Sequence, residues 1–447
     1  MPKKPKTIQP PPIFTDPETP VNCPIRRCTV PEQSASRRIL IMRAGAFGDI
    51  LMGTVILAAL RQADPNVHLT WIAEHSEVQA IDANPLVDRI VRWNSGYFTR
   101  PMRKYSYLVW ASRTVSLIRE LRKHKYDIFI SLQPEEWPFV MKGSGAPVTI
   151  GVFDTFKRFY RAKRSSPYWR LYRHAFRYTT NPDHRIDQYL QAVSALGYEV
   201  DSGVSLTMGY TEDDRTVADQ FLSANGLGPV SDYYVVAPST TWPSKCWKSQ
   251  NYVALCDIIT KRYGLPVVLI GSAKERDEVQ AIANQLEPVE RIASARPDFD
   301  PPHETVPKLT AKSSPLPGWD GWGMGSKSQA IVAAGDLTFR QTAALIDRAR
   351  LLVSGDTGPM HVASALGTPH VAIFGATGAH WYGSRSPVGR LVWESVPCGP
   401  CDQKVCPNSG DDHMLCMEKI TVDAVLAAVD EVLERSSDGV NLQNEGV

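Results

Sequence analysis

The sequence predicts an α/β protein made of two doubly wound lobes with a cleft between them. Two series of apolar runs alternate with helical patterns, one from residue 38 to residue 197 and one from residue 233 to residue 435. Strands that alternate with helices pair in parallel through right-handed crossovers. The chain of 447 residues is also too long for one ordinary domain, which favours two lobes.

Five apolar runs in the first series are expected to form buried parallel strands. They are RILIMR (38–43), VHLTWIAE (67–74), DRIVRW (88–93), YDIFISLQ (126–133) and APVTIGV (146–152). A Gly-containing turn, AGAFGD (44–49), follows the first run and opens an apolar helix over about 50–61. A basic, aromatic-rich segment (153–178) interrupts the alternation, and a helix over 184–197 follows it.

The second series repeats the pattern. Its strands are expected at YYVVAP (233–238), PVVLIG (266–271), AIVAAG (330–335), LLVSG (351–355) and HVAIFG (370–375), and its helices at 252–263, 273–286, 338–349 and 422–435. We therefore predict a flexible Pro-rich tail (1–36), an N-terminal lobe (37–205), a C-terminal lobe (206–435) and a polar tail (436–447). The C-terminal lobe carries an irregular insertion (287–328) and a Cys-rich loop (398–416).

The composition excludes several classes of partner. With 49 basic and 47 acidic residues, the chain has no global field that would select nucleic acid. No apolar run is long enough to span a bilayer, and prolines stand where a signal peptide needs an apolar core. The expectation is a cytoplasmic protein.

One turn carries more polar groups than a fold requires. The strand LLVSG runs into Asp356, Thr357 and Gly358, and a short helix with His361 follows. A helix N-terminus offers free N–H groups and partial positive charge to a phosphate, and the flanking glycines permit close approach of the backbone. An Asp that only caps the helix would explain one of these residues but not the glycines and the histidine. The turn therefore predicts a diphosphate site.

Two other strand ends of the same lobe support this prediction. Thr240, Thr241 and Lys245 follow the strand YYVVAP, where hydroxyl and ammonium groups can converge on phosphate oxygens. Alone, this stretch would be an ordinary polar loop. Glu275 follows the next strand and could contact a ribose. It is equally compatible with a run of charged residues that is only exposed to solvent.

The turn in the first lobe places a carboxylate across the cleft. Asp49 opens the helix after GAFG, a sequence that lacks the lysine and the spacing of a P-loop. Asp49 could cap that helix. If the cleft holds an activated sugar donor, it is also positioned as a general base for a hydroxyl nucleophile.

The combination of segments resembles glycosyltransferase family 9, the ADP-heptose:lipopolysaccharide heptosyltransferases. The resemblance rests on IMRAGAFGDILMGTVILAAL (41–60), TTWPSKCW (240–247) and GDTGPMHVASALGTPHVAIFG (355–375), and it extends from about residue 38 to residue 434. It implies the GT-B fold, in which two Rossmann-like lobes flank an interdomain cleft. It also implies inverting transfer of a heptose from ADP-heptose to an anionic glycolipid, the lipopolysaccharide core.

The resemblance assigns roles to residues. Asp49 matches the catalytic base, and Lys245 would stabilise the charge that builds up on the leaving phosphates. The positions that match donor-binding residues are Thr240, Thr241, Lys245, Asp356, Thr357, Gly358 and His361, with Glu275 as the nucleoside contact. Where the family usually has two glycines, this chain has Gly271 and Ser272. No cofactor or metal is implied for catalysis.

The basic aromatic segment is expected to bind the acceptor. Family acceptors carry phosphates and carboxylates, so Arg158, Arg161, Lys163 and Arg164 are the predicted acceptor-binding residues. The alternative is a solvated basic face. Peripheral contact with the inner membrane and an oligomeric state are both compatible with the resemblance.

Four cysteines form a separate motif. Cys398, Cys401, Cys406 and Cys416 have the spacing C-x2-C-x4-C-x9-C, which suits a tetrahedral, structural Zn or Fe ion. The alternative is four reduced thiols without metal. A related branch that glycosylates autotransporter proteins has an iron-binding loop here.

Two other functions stay open. One is the same chemistry on a protein acceptor. The other is a non-catalytic sugar-nucleotide-binding module, which would release no ADP. A sugar-nucleotide epimerase is disfavoured because its acid/base residues are not found.

Overall fold

The computed structural model describes residues 37–93, 106–132, 138–153, 174–177, 184–201, 203–286 and 330–437. The predicted tails (1–36 and most of 436–447), the insertion and most of the basic segment lie outside these ranges. In the described part, no helix combines the length and the apolar character needed to cross a membrane.

The first lobe alternates strands with helices, as the sequence predicts. Its strands are β1 (Arg38–Met42), β2 (His68–Glu74), β3 (Arg89–Trp93), β4 (Ile128–Ser131), β5 (Val148–Phe153) and β6 (His174–Arg177). Its helices are α1 (Phe47–Gly53), α2 (Val55–Ala63), α3 (Ser106–Lys123), α4 (Pro138–Ser144) and α5 (Arg185–Ser194). All six strands are parallel, in the order β3-β2-β1-β4-β5-β6.

The second lobe repeats this architecture. Helix α6 (Glu212–Ala224) leads into it. Its strands are β7 (Tyr234–Ala237), β8 (Val267–Leu269), β9 (Ile331–Val332), β10 (Leu351–Gly355), β11 (His370–Phe374) and β12 (Gly389–Trp393). Its helices are α7 (Ser249–Tyr263), α8 (Arg276–Ala283), α9 (Phe339–Asp347), α10 (Gly358–Leu366), α11 (Ala379–Tyr382), α12 (Leu415–Glu418) and α13 (Val422–Ser437). The parallel order is β12-β11-β10-β7-β8-β9.

Both sheets have the strand order 3-2-1-4-5-6 of a dinucleotide-binding fold, counted from the first strand of each lobe. The order reverses between β1 and β4 in one lobe and between β7 and β10 in the other. Ligands of such sheets bind outside the carboxyl ends of the strands at this switch point. The residues that follow β1, β7 and β10 are therefore the ones to inspect.

The central strands are buried on both faces, which explains their unbroken apolar sequences. Residues 39–42 of β1 and 234–236 of β7 are at most 1% exposed. Side chains from both sheets belong to one continuous apolar cluster, so the lobes share part of their core.

The structure adds elements that the sequence prediction lacks, such as β12 and α6, and two details of the first lobe also differ from it. The basic segment (153–178) does not simply interrupt the alternation, because residues 174–177 pair with β5 as a sixth strand. The single helix predicted over about 50–61 is two helices, with Thr54 between them. The Thr54 hydroxyl donates to the carbonyl of Leu51 at 2.6 Å and accepts from the N–H of Thr207 at 2.9 Å.

The two lobes meet through specific contacts. Phe47 stacks on Phe339 with ring centroids 4.1 Å apart. His184 lies between the lobes: its Nε2–H donates to the carbonyl of Gly383 at 2.7 Å, while its Nδ1 accepts from the N–H of Ile186 at 3.2 Å. Both roles require a neutral ring, and burial lowers the pKa of His184 to about 4. These contacts hold the two switch points face to face.

Candidate active site

A largely buried ion pair joins the two predicted donor loops. The Nζ of Lys245, after β7, lies 2.6 Å from the Oδ2 of Asp356, after β10, and their side chains are 14% and 8% exposed. The same Oδ2 accepts from the Oγ1 of Thr377, after β11, at 2.7 Å. Three adjacent strand ends therefore supply one polar cluster. An ammonium group has three N–H donors, so Lys245 keeps donors for a phosphate while it binds Asp356.

The Asp356 carboxylate is not a helix cap. Helix α10 begins at Gly358, its N-cap is Thr357, and among the described residues no side chain caps it. The N–H groups of its first turn are thus available to an anion. A Cβ on Gly355 would lie 3.0 Å from the Cγ2 of Thr240, which explains why a glycine stands there, whereas one on Gly358 would make only ordinary contacts.

The two threonines after β7 differ in their surroundings. The Oγ1 of Thr240 donates to the carbonyl of Trp242 at 2.8 Å and lies 3.2 Å from the Sγ of Cys246. Thr241 is exposed at the rim of the cleft. The ring of Trp242 also faces Lys245, whose Nζ lies 4.4 Å from the ring centroid.

Asp49 lies in the first turn of α1 and forms an ion pair with Arg43. Burial opposes the charged form of Asp49, but Arg43 and Arg185 outweigh it and hold the pKa of this carboxyl below its usual range. Asp49 is therefore a carboxylate at neutral pH. Its side chain is 34% exposed, so it remains open to the cleft.

His361 links the two halves of the site. It is 4% exposed on α10, and α10 packs against α1 of the other lobe. A Cβ on Gly48 would lie only 2.8 Å from the Cδ2 of His361. Burial lowers the pKa of His361 despite the nearby charges of Asp356 and Asp49, so its ring is neutral at neutral pH.

Glu275 lies at the neighbouring strand end, after β8. Its Oε2 accepts from the N–H and from the hydroxyl of Ser272, each at 2.7 Å, and so closes a tight turn before α8. The structure thus gives Glu275 a local structural role. Its contact with a nucleoside stays a prediction.

The protein comparisons identify the family. The family model described as "Glycosyltransferase family 9 (heptosyltransferase)" matches residues 114–294 and 324–410, which is more than half of the chain. The chain belongs to glycosyltransferase family 9. It is therefore a glycosyltransferase, as the sequence predicts.

Curated relatives and solved structures agree with this family. Lipopolysaccharide heptosyltransferase 3 of Escherichia coli is 23% identical over 399 residues, which cover 88% of this chain and 99% of the relative. Lipopolysaccharide heptosyltransferase 1 of Pseudomonas aeruginosa is 23% identical over 375 residues, 83% of this chain and 87% of the relative.

Two solved structures share the fold of this family 9 glycosyltransferase. A family 9 glycosyltransferase from Veillonella parvula has a TM-score of 0.66 at 21% identity and covers 89% of this chain and 97% of its own. The E. coli ADP-heptose lps heptosyltransferase II has a TM-score of 0.61 at 17% identity and covers 89% and 99%. The predicted GT-B architecture of two α/β lobes is confirmed.

The four cysteines of this family 9 enzyme lie around one small cavity. Cys398, Cys401, Cys406 and Cys416 line a space of about 20 Å³ together with Ser244, which is enough for one water-sized occupant. Burial raises the pKa of Cys416 to about 11 and also raises that of Cys401. In the described ranges, however, no three His, Cys, Asp or Glu side chains are arranged to hold a metal ion. The metal stays a prediction.

The predicted acceptor residues, Arg158, Arg161, Lys163 and Arg164, lie outside the described residues. Sequence reasoning missed two members of the site, Arg43 and Thr377. Arg43 directly follows β1 and Thr377 lies three residues after β11, so both are at strand ends, the same signal that indicated Thr240 and Asp356. The sequence does not show which of the polar residues at the strand ends pair with each other.

Proposed function

We propose that this enzyme transfers a heptose from ADP-heptose to an anionic glycolipid, the lipopolysaccharide core. The curated relatives named above are lipopolysaccharide heptosyltransferases. The observation that carries the proposal is the arrangement at the cleft: α1, which carries Asp49, packs against α10, which follows the Lys245–Asp356 pair, with the buried His361 at the contact. A base and a diphosphate site on opposite walls are what transfer to a hydroxyl requires.

The proposed reaction inverts the anomeric centre in one displacement. The acceptor oxygen attacks the anomeric carbon as its proton passes to Asp49, and the bond from that carbon to the phosphate oxygen breaks. ADP leaves with the bonding electrons. Lys245 and the N-terminus of α10 stabilise the negative charge on the departing phosphate, which makes their contribution larger in the transition state than in the ground state.

Other residues of the cleft complete the donor site in this proposal. Thr241 and Thr357 offer hydroxyls to the diphosphate, and the backbone of Gly358 approaches it closely. Thr240 would do so once its hydroxyl turns away from the carbonyl of Trp242, to which it donates in this structure. The neutral ring of His361 can donate one hydrogen bond to a phosphate or sugar oxygen. Glu275, on the adjacent strand end, is assigned to the ribose.

The acceptor and the location follow from the same proposal. The basic segment that contains Arg158, Arg161, Lys163 and Arg164 would bind the phosphates of the glycolipid. An enzyme acting on a membrane-anchored acceptor would work in the cytoplasm, in peripheral contact with the inner membrane.

The cysteine loop is proposed to hold one structural Zn or Fe ion. The support is the donor set, since four thiols line a single cavity of one-ion size. Such an ion would favour the thiolate form of cysteines that burial otherwise keeps protonated. With all four ligand positions taken by cysteines, such an ion would be structural and would bind no substrate.

The test uses Asp49→Asn. This variant should bind ADP-heptose normally but transfer sugar about 10²–10⁴ times more slowly, because it lacks the general base. The assay is ADP release, with mass spectrometry of the product formed from a panel of core glycolipids. Wild-type protein that binds the donor but releases no ADP with any glycolipid would indicate a protein acceptor or a binding module. Full activity of Asp49→Asn would remove this residue from its role.

A further inference from the structure

The turn that carries Lys245 has little regular structure of its own. Residues 243–245 form a single 3-10 turn, and no side chain of the described chain caps it. Lysine is a point charge on a flexible four-carbon stem, so its usefulness in catalysis depends on how firmly its backbone is held. What holds this turn therefore bears on the chemistry.

The Cys-rich loop holds it. The hydroxyl of Ser244 donates to the carbonyl of Gln403, and the N–H of Ser244 donates to the carbonyl of Lys404 at 3.3 Å. Ser244 is 1% exposed and forms part of the wall of the cavity lined by the four cysteines. Its neighbour in sequence is Lys245.

The same part of the loop, residues 402–404, also contacts the loop after β11, which carries a hydrogen-bond donor to Asp356. The N–H of Asp402 donates to the carbonyl of Ala376 at 2.7 Å. The next residue, Thr377, donates its hydroxyl to Asp356 at 2.7 Å. Residues 402–404 are thus anchored to the turn of Lys245 and to the loop after β11, whose Thr377 in turn binds Asp356. The Nζ of Lys404 additionally lies 5.8 Å from the ring centroid of Trp242.

We propose that Ser244 is a positioning residue, which fixes Lys245 for the donor diphosphate by tying its turn to the Cys-rich loop at residues 402–404. The inference rests on the proposed donor site and adds a role for the loop in it. The hydroxyl of Ser244 touches neither of the reacting groups. Its effect passes through the backbone into the position of one ammonium group, so it should act on phosphate binding and not on the nucleoside.

Ser244→Ala tests this, with Ser409→Ala as the matched control. Ser409 lies in the same loop but is exposed. Binding of ADP and of adenosine to the full-length protein is measured by titration, together with kcat, the donor KM and Tm. Loss of the one hydrogen bond should weaken ADP binding by about fivefold to tenfold and leave adenosine binding unchanged. The donor kcat/KM should fall by a similar factor, with the acceptor KM unaltered.

Lys245→Met separates this inference from the donor site itself. If Lys245→Met weakens ADP binding and Ser244→Ala does not, the positioning role is wrong and the donor site stands. If Lys245→Met has no effect on ADP binding, the donor site fails as well. Two results would indicate general loosening of the loop and would overturn the proposal. One is that Ser244→Ala weakens the binding of ADP and of adenosine equally. The other is that Ser409→Ala weakens ADP binding as much as Ser244→Ala does.

Discussion

Replacing Gly48 by alanine should slow sugar transfer without unfolding the protein. Gly48 lies on α1, next to Asp49, and faces His361 on the other wall of the cleft. A methyl group at this position would enter the contact that brings the two lobes together. The substitution therefore tests whether the two lobes must be as close as they are in this structure for catalysis to occur.

The size of the effect follows from the distances. The new Cβ would lie 2.8 Å from the Cδ2 of His361 and 3.4 Å from its Nε2. Carbon atoms in contact are about 3.5–4.0 Å apart, so the walls must separate by roughly 1 Å. His361 is 4% exposed and cannot turn into solvent, so the displacement falls on α1 or on α10. A misplacement of about 1 Å can cost roughly 10²-fold in rate.

The assay compares Gly48→Ala with Gly45→Ala. Gly45 belongs to the same turn, but a Cβ there would have only ordinary contacts with Glu77, at 3.9 Å. We expect kcat to fall by about 10- to 100-fold in Gly48→Ala and to stay near wild type in Gly45→Ala. Overpacking costs about 1–3 kcal/mol of stability, which leaves the protein folded at assay temperature.

One result would refute this reasoning. If Gly48→Ala retains the wild-type kcat and both KM values while its Tm is unchanged, the contact with His361 does not limit the approach of the lobes during catalysis. The proposed base, Asp49, and the proposed donor site at Lys245 would then have to meet in another arrangement.

Two further predictions follow from the site and the loop. Arg43→Met removes the positive charge that lowers the pKa of Asp49, so this pKa should rise. Since a base must be deprotonated to act, the acid limb of the kcat/KM profile should move to higher pH, and an unmoved limb would contradict the role of Arg43 or of Asp49. For the loop, elemental analysis of purified protein should find about one Zn or Fe per chain, and Cys398→Ser/Cys401→Ser should lose it. Wild-type protein free of both metals would refute the metal site.

Part of the site could be read directly from the chain. Asp49, Thr240, Lys245 and Asp356 each follow an apolar run that is predicted to be a buried strand, and parallel strands bring their carboxyl ends to one edge. The periodicity therefore predicts the fold class and the sheet edge at which the proposed donor site lies. Local sequence predicts one helix over about 50–61 and does not show the break at Thr54, whose hydroxyl accepts from the N–H of Thr207, a residue distant in the chain.

The amino-acid sequence by itself determined the two doubly wound lobes, the family and the set of polar residues at the strand ends. These depend on local apolar periodicity and on short motifs, which do not require knowledge of distant contacts. The tertiary structure decided the pairings. In the folded chain Asp356 binds Lys245 and Thr377, and Asp49 binds Arg43. The turn of Lys245 is hydrogen-bonded to the Cys-rich loop. Such pairs join residues from separate strand ends and loops, and only the packing of the folded chain fixes which charge lies within reach of which.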